Sequence, residues 1–387
     1  MRLRGPRGLE LADILRAHVH ELGSLGPDKR RVVDHLLSCR TPARGGHLYH
    51  CDHCGRDVPL YNSCLDRHCP TCGGLNQVRW VEARKSEVLP TRYFHLVFTL
   101  PQALHVFFWA APALAYGLLF QAVAETLLTL CRANLGFTPA VLCLLHTWTQ
   151  TLAFHPHLHC IVSGGGLTAD HSRWRSARRR FLLPVRVLSR LFKGKLLAKL
   201  SEKIDAFGID HARARALIRA ARQADWVVYA KAPMTDSDRV ICYLARYTHK
   251  TAISNQRLQS LDNGQVTFRY RDRARGNRQR TMTLTASAFL KRFLRHLLPR
   301  RFVRVRYYGL LAHPIKKKAL LDARRLLAVS GAVQDQTPSA SWPRLSHQIT
   351  ADLTLVCPFC QTPGLAEIAV IPPPRPRRTG HHLSRAP

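Results

Sequence analysis

Acidic residues are scarce in this chain: 24 Asp and Glu stand against 59 Lys and Arg in 387 residues, a formal net charge of +35. That shortage excludes a self-neutralised surface and calls for a polyanionic partner, because Lys and Arg laid along a phosphate backbone release its condensed counterions. Charge alone does not separate a DNA enzyme from a ribosomal or merely adhesive basic protein. No Gly-x-x-x-x-Gly-Lys-Ser/Thr loop occurs, which removes the usual cradle for ATP phosphates, and no internal repeat occurs, which removes solenoids and propellers. With no secretory signal, paired Cys-x-x-Cys units read as zinc ligands in a reducing cytoplasm and not as disulfides. Residues 103–120 meet the crude length of a membrane span, but Pro112 interrupts them and Gln121, Glu125 and Arg132 follow. They read as a buried helix or helix pair, with no membrane partner.

Six of the twelve cysteines (Cys39, Cys51, Cys54, Cys64, Cys69 and Cys72) crowd into 34 positions. Cys51, Cys54, Cys69 and Cys72 form a four-thiolate pattern with the spacing of tetrahedral zinc sites. Cys39, His47, Cys64 and His68 supply a second set of four, so the expectation is one or two structural zinc ions. Spacing leaves open whether the two sets pair in this order or interleave, and His50 and His53 compete as ligands. Full thiolate coordination leaves no position for water or substrate, so the module is assigned to folding and DNA recognition, with Arg40, Arg44, Arg56 and Arg67 available for phosphates. Cys357 and Cys360 make half a site, completed by a partner such as His347 or simply buried. Cys131, Cys143, Cys160 and Cys242 lie in apolar surroundings and read as buried thiols.

The expected organisation is α+β, with a helical segment over 1–38 and the zinc-binding module over 39–90. A catalytic region over 91–312 and a basic C-terminal region over 313–387, ending in a disordered Pro/Arg-rich tail, follow. Within the catalytic region, residues 92–100, 142–152, 157–163 and 225–230 carry strand composition. Asp262-Asn263-Gly264 marks a hairpin turn. The run His157-Leu158-His159 puts two imidazoles on one face of a strand, since alternate residues point the same way. His146 or Gln150, on the neighbouring strand, offers a third ligand, with Gln150 preferred. Two imidazoles plus an amide or water oxygen suit magnesium or manganese with open positions, which polarises a phosphate oxygen. Tyr243 and Tyr247 stand one helical turn apart on a segment with helix-start signals at Thr235 and Asp236. A tyrosine hydroxyl has a reference pKa of ~10, so it needs cationic help from Arg246, Lys250 or the metal to attack near neutral pH. Spacing is equally consistent with both tyrosines packing into the core beside Val240 and Leu244.

These segments together resemble the rolling-circle, two-tyrosine HUH transposases of the "IS ninety-one" insertion-sequence group. The likeness runs through Cys39-Arg40-Thr41, Gly45-Gly46-His47, the run 61–70, His155-Pro156-His157-Leu158-His159-Cys160, Gly164-Gly165-Gly166-Leu167, the run 243–255 and Tyr307-Tyr308-Gly309. It departs at Asp66, where an amide is often found, and after Cys360-Gln361, where a glycine is usual. The resemblance implies a zinc-binding domain before an HUH-type antiparallel sheet flanked by helices. It implies His157 and His159 as the metal pair, Tyr243 and Tyr247 as nucleophiles, and nicking of single-stranded DNA at transposon ends. Candidate DNA contacts are Arg67, Arg173, Arg175, Arg178, Arg179, Arg180, Arg246 and Lys250, in a cytoplasmic, nucleoid-associated protein. Two other readings compete: a zinc-knuckle DNA-binding protein without catalysis, and a replication initiator or relaxase sharing the same chemistry. Trp174, Phe268, Tyr270, Tyr307 and Tyr308 are candidates for stacking on unpaired bases.

Overall fold

The computed structural model describes residues 8–72, 80–81, 83–178, 181–234, 240, 243, 250–272, 275–329 and 356–374. Its central element is an antiparallel sheet with strand order β11-β4-β5-β3-β7 (β3 Tyr93–Thr99, β4 Thr138–Trp148, β5 Phe154–Leu167, β7 Val228–Ala230, β11 Val305–Gly309), to which β6 (Trp174–Ser176) adds beside β5. Side chains alternate across it. Phe94, Leu96 and Phe98 of β3, Val141, Cys143 and Leu145 of β4, and Leu158, Cys160 and Val162 of β5 enter the largest apolar core. Helices α3 (His105–Ala110), α4 (Pro112–Leu130), α5 (Val185–Glu202) and α6 (His211–Gln223) cover that face through Phe107, Phe120, Phe192 and Ile218. The opposite face carries Leu142, Leu144 and Ile161, packed against Leu320, Ala323 and Leu327 of α8 (Lys316–Val329).

The apolar run 103–120 is a helix pair, because Pro112 cannot donate to a continuing helix and instead occupies the first turn of a new one. The stretch Pro112–Leu135 is long and apolar enough to cross a membrane, but 67% of its most apolar window is buried inside the protein, as a core helix requires. Strand β4 ends at Trp148, short of the expected 152, because residues 149–153 turn back with Leu152 at φ 59° and Thr149 capping the Ala153 amide.

A second sheet, order β10-β9-β8 (β8 Leu258–Asp262, β9 Gln265–Asp272, β10 Arg278–Thr285), shares a core with α1 (Leu11–His18), α2 (Pro27–Ser38) and α7 (Ala286–Leu294). Its β8–β9 turn falls on Asn263 and Gly264, both at positive φ (48° and 70°), as the Asn-Gly step predicts. A third sheet, order β12-β1-β2 (β1 Gly46–Cys51, β2 Arg56–Tyr61, β12 Leu365–Ile371), includes a strand from the C-terminal region. The chain returns after residue 356, and β12 pairs antiparallel with β1, Gly46 opposite Ile371. The Pro/Arg-rich end beyond 374 lies outside the described residues.

Gly164-Gly165-Gly166 closes β5 where neighbouring backbone comes closest. A Cβ on Gly166 would lie 2.0 Å from the Thr138 carbonyl oxygen, and one on Gly165 would meet the Trp174 indole at 2.7 Å. Gly166→Ala is therefore expected to lose on the order of 1–3 kcal/mol in urea unfolding. Gly194→Ala, in α5 with nothing within 4 Å of the added carbon, should gain about 0.5–1 kcal/mol.

Candidate metal centre and its tyrosine

Three imidazoles converge on the α8 side of the central sheet. His157 and His159 alternate along β5, and His146 of β4 stands directly opposite His157 in the ladder. The ligand atoms of His146, His157 and His159 lie within 4.8 Å of one another. Ring centroids are 4.9 Å apart for His157 and His159 and 4.6 Å for His146 and His159. The Nδ1–H of His157 donates to the His155 carbonyl at 2.7 Å, which fixes the orientation of the ring. Of the two candidates for a third ligand, His146 is the one whose ring nitrogen stands with those of His157 and His159. Gln150 sits in the turn beyond β4, where its backbone carbonyl accepts from Arg257.

A fourth histidine, not singled out from the sequence, joins them. His95 of β3 points to the same side, two residues from Val97, the ladder partner of His159. His95 Nε2 lies 2.9 Å from His159 Nδ1, and the Tyr243 hydroxyl lies 2.7 Å from the same nitrogen and 3.1 Å from His95 Nδ1. Burial, with the charges of Lys231 and His157 adding to it, holds the His95 pKa down to about 3, so its ring is neutral and can accept. The Lys231 ammonium stands 5.7 Å from the Tyr243 ring centre. The one sequence signal for His95 was parity: it is the polar residue alternating with Phe94, Leu96 and Phe98.

The cysteines form two tetrads, and neither is the expected one. Cys39, Cys64, Cys69 and Cys72 make the first, and Cys51, Cys54, Cys357 and Cys360 the second. Nearest sulfur pairs are 3.6 Å apart in each: Cys39–Cys69 and Cys64–Cys72, then Cys51–Cys360 and Cys54–Cys357. A tetrahedron with Zn–S bonds of about 2.3 Å has edges of about 3.8 Å, so both sets fit a zinc ion. The two Cys-x-x-Cys pairs of 51–72 separate because Cys51 and Cys54 sit at the tip of the β1–β2 hairpin, where the returning C-terminal segment meets them.

Residues 11–100 match the family described as "Transposase zinc-binding domain", and residues 140–319 match the family described as "Putative transposase". The chain is 40% identical over 380 residues to "Putative transposase y4qJ" of Sinorhizobium fredii, covering 94% of this chain and 96% of the relative. It is 30% identical over 319 residues to the transposase for insertion sequence element IS801 of Pseudomonas savastanoi, covering 77% of this chain and 74% of the relative. The chain belongs to the IS ninety-one group of insertion-sequence transposases. No solved structure matches it.

Several residues of this transposase stand elsewhere than expected. His47 is outside both tetrads, its Nδ1 bonded to Glu367 on β12 at 2.8 Å. His68 is buried with Nδ1 on Asp66 at 2.9 Å, while its Nε2 accepts the Leu298 amide at 3.2 Å. Asp66 thereby has a structural task. Burial would raise its carboxyl, but hydrogen bonds from His68 and His35 outweigh that and hold it well below the usual range. Arg67 is half-buried and donates to the carbonyls of Pro299 and Phe302, tying the cysteine-rich module to the catalytic region. Arg173, Arg175, Arg178 and Lys250 are exposed, whereas Arg179, Arg180, Arg246 and Tyr247 lie outside the described residues. Of the proposed stacking aromatics, Phe268 is fully buried and Trp174 covers Gly165.

The tetrads make a prediction that the spacing-based pairing does not share. Cys51→Ser and Cys357→Ser should each remove the same one of two bound zinc equivalents, and Cys69→Ser the other. Elemental analysis of the purified variants, singly and as the Cys51→Ser/Cys357→Ser double, measures this; loss of two equivalents in that double variant would refute the grouping.

Proposed function

We propose that this transposase nicks and rejoins single-stranded DNA at the ends of its element through a covalent 5′-phosphotyrosine intermediate, during rolling-circle transposition in the bacterial cytoplasm. The observation that carries the reading is the contact of the Tyr243 hydroxyl with His95, itself bonded to His159 of the three-histidine cluster. An ionisable oxygen nucleophile thus stands beside a set of nitrogens able to hold a cation. Tyr247, one helical turn on in sequence, is assigned as the second nucleophile.

His146, His157 and His159 would hold the divalent cation. A bound cation supplies charge to a non-bridging phosphate oxygen in an in-line displacement. Imidazole nitrogens favour transition ions over magnesium, so of the two ions expected manganese suits the cluster better. In the cleavage step the Tyr243 oxygen gives up its proton and bonds to phosphorus, the bond from phosphorus to the 3′ oxygen breaks, and that oxygen takes a proton. The tyrosyl phosphodiester conserves the energy of the broken bond, so attack by a free 3′ hydroxyl reseals DNA without ATP. Two tyrosines let one retain a cleaved end while the other acts.

We assign both cysteine tetrads to structural zinc, and Arg173, Arg175, Arg178 and Lys250, with Arg179, Arg180 and Arg246, to phosphate contacts. The zinc-binding unit is assigned to residues 39–90 with the returning segment 356–374, and the catalytic unit to 91–312.

A 3′-labelled single-stranded oligonucleotide carrying the DNA that flanks the gene tests the chemistry. Incubation with manganese should give a labelled, denaturant-resistant adduct that proteolysis trims to a tyrosyl peptide on the 5′ end. The Tyr243→Phe/Tyr247→Phe double variant should lower adduct formation by on the order of 10³, and chelation should abolish it. An undiminished adduct in the double variant would refute the tyrosine mechanism.

A further inference from the structure

At the β7 edge of the central sheet, beside the histidine cluster, stand Tyr229 and Lys231. The ladder runs His159 of β5 opposite Val97 of β3, and Val97 opposite Tyr229 of β7. Residues paired across antiparallel strands project to the same side, so Tyr229 stands in the same row and on the same face as His159, two strands away. At about 4.8 Å per strand the separation is about 10 Å. That is about three stacked nucleotide rises of ~3.4 Å, and fewer for an extended strand.

Tyr229 is 54% exposed and Val227, on the same side, 59% exposed. Between them Val228 turns inward and is buried, so the strand itself is well seated. Lys231 follows Tyr229 at the next position of this face, its amide bonded to the His95 carbonyl, its side chain exposed and its ammonium near the Tyr243 ring. An aromatic ring left in water and a cation next to it, both bordering the three-histidine cluster, are what one unpaired nucleotide requires: a flat apolar face for the base and a positive charge for its phosphate. A chain of net charge +35 supplies the attraction that brings such a polyanion to this edge.

We propose that Tyr229 and Lys231 form a nucleotide seat on β7, in which a base of single-stranded DNA next to the scissile linkage stacks on the Tyr229 ring while Lys231 contacts the backbone phosphate. This rests on the reading of the protein as a single-strand transesterase and adds the site that holds the strand in register with Tyr243. Base stacking on a tyrosine is tolerant of sequence because every base has a flat face, so the seat fixes position without dictating which ends are recognised.

Fluorescence anisotropy with labelled dT20 tests the seat on the full-length protein, with adduct formation on the flanking-sequence oligonucleotide assayed in parallel. Tyr229→Ala should weaken dT20 binding by roughly 5- to 100-fold, while Tyr229→Phe stays within about twofold because the ring is retained. Lys231→Gln should reduce the slope of log K against log salt by about 0.7. All three variants should melt like the parent, since both side chains are exposed. Ultraviolet crosslinking of dT20 bearing 5-iododeoxyuridine should label the peptide containing Tyr229. Binding by Tyr229→Ala equal to the parent, or an equal loss in Tyr229→Phe, would overturn the seat. If the parent still forms its adduct, the transesterase reading survives that result. A parent that binds dT20 through Tyr229 yet forms no adduct would instead sink the transesterase reading and leave the stacking contact standing.

Discussion

The backbone ladder joining β4, β5 and β3 is the constraint on which the site depends. Every imidazole of the cluster is placed by strand register: His146 opposite His157, and Val97, two residues from His95, opposite His159. Because side chains alternate with period two, a slip of one residue in β5 would drive His157 and His159 into the apolar core and turn Leu158 and Cys160 toward the tyrosine. The register resists such a slip because the other face is packed with phenylalanine, leucine and valine from three strands and four helices. The apolar face therefore holds the polar face in place.

Glycine makes the same ladder possible at its far end. Gly166 and Gly309 each allow a carbonyl, that of Thr138 or of Pro139, to approach within 2.0 Å of where a Cβ would stand. β5 and β11 thus close tightly on β4, and Leu142 and Leu144 of β4 join the core shared with Tyr243 and α8. The position of Tyr243 is tied in this way to packing some distance from the chemistry.

The two cysteine tetrads act on chain topology. One joins the end of α2 to residues 64–72, beside the core that contains β9 and α7. The other joins the β1–β2 hairpin to the C-terminal segment, which adds β12 to the same sheet. Both tetrads lie within the cysteine-rich module, where bound zinc would hold together segments that have no large apolar core, and Arg67, which donates to the carbonyls of 299 and 302, ties that module to the rest of the protein.

Local pattern was enough for much of this. Alternation in 92–100 and 157–163, the break at Pro112, the Asn263-Gly264 turn and the crowding of thiols each follow from the conformational limits of a few neighbouring residues, and the structure agrees with them. What depends on residues distant in the chain was not legible: which cysteines share a tetrad, that Cys357 and Cys360 complete one, which of His146 and Gln150 stands with the histidine pair, that His95 joins it, and that Arg67 and His68 turn toward residues 298–302. Spacing constrains only contacts closed by short loops, whereas these are set by which strand lies beside which. The sequence by itself determined the kinds of chemistry available, namely thiolates, imidazoles, phenols and excess positive charge. Tertiary structure alone decided which of them meet, because ladder register and sheet order bring together groups that no local rule connects.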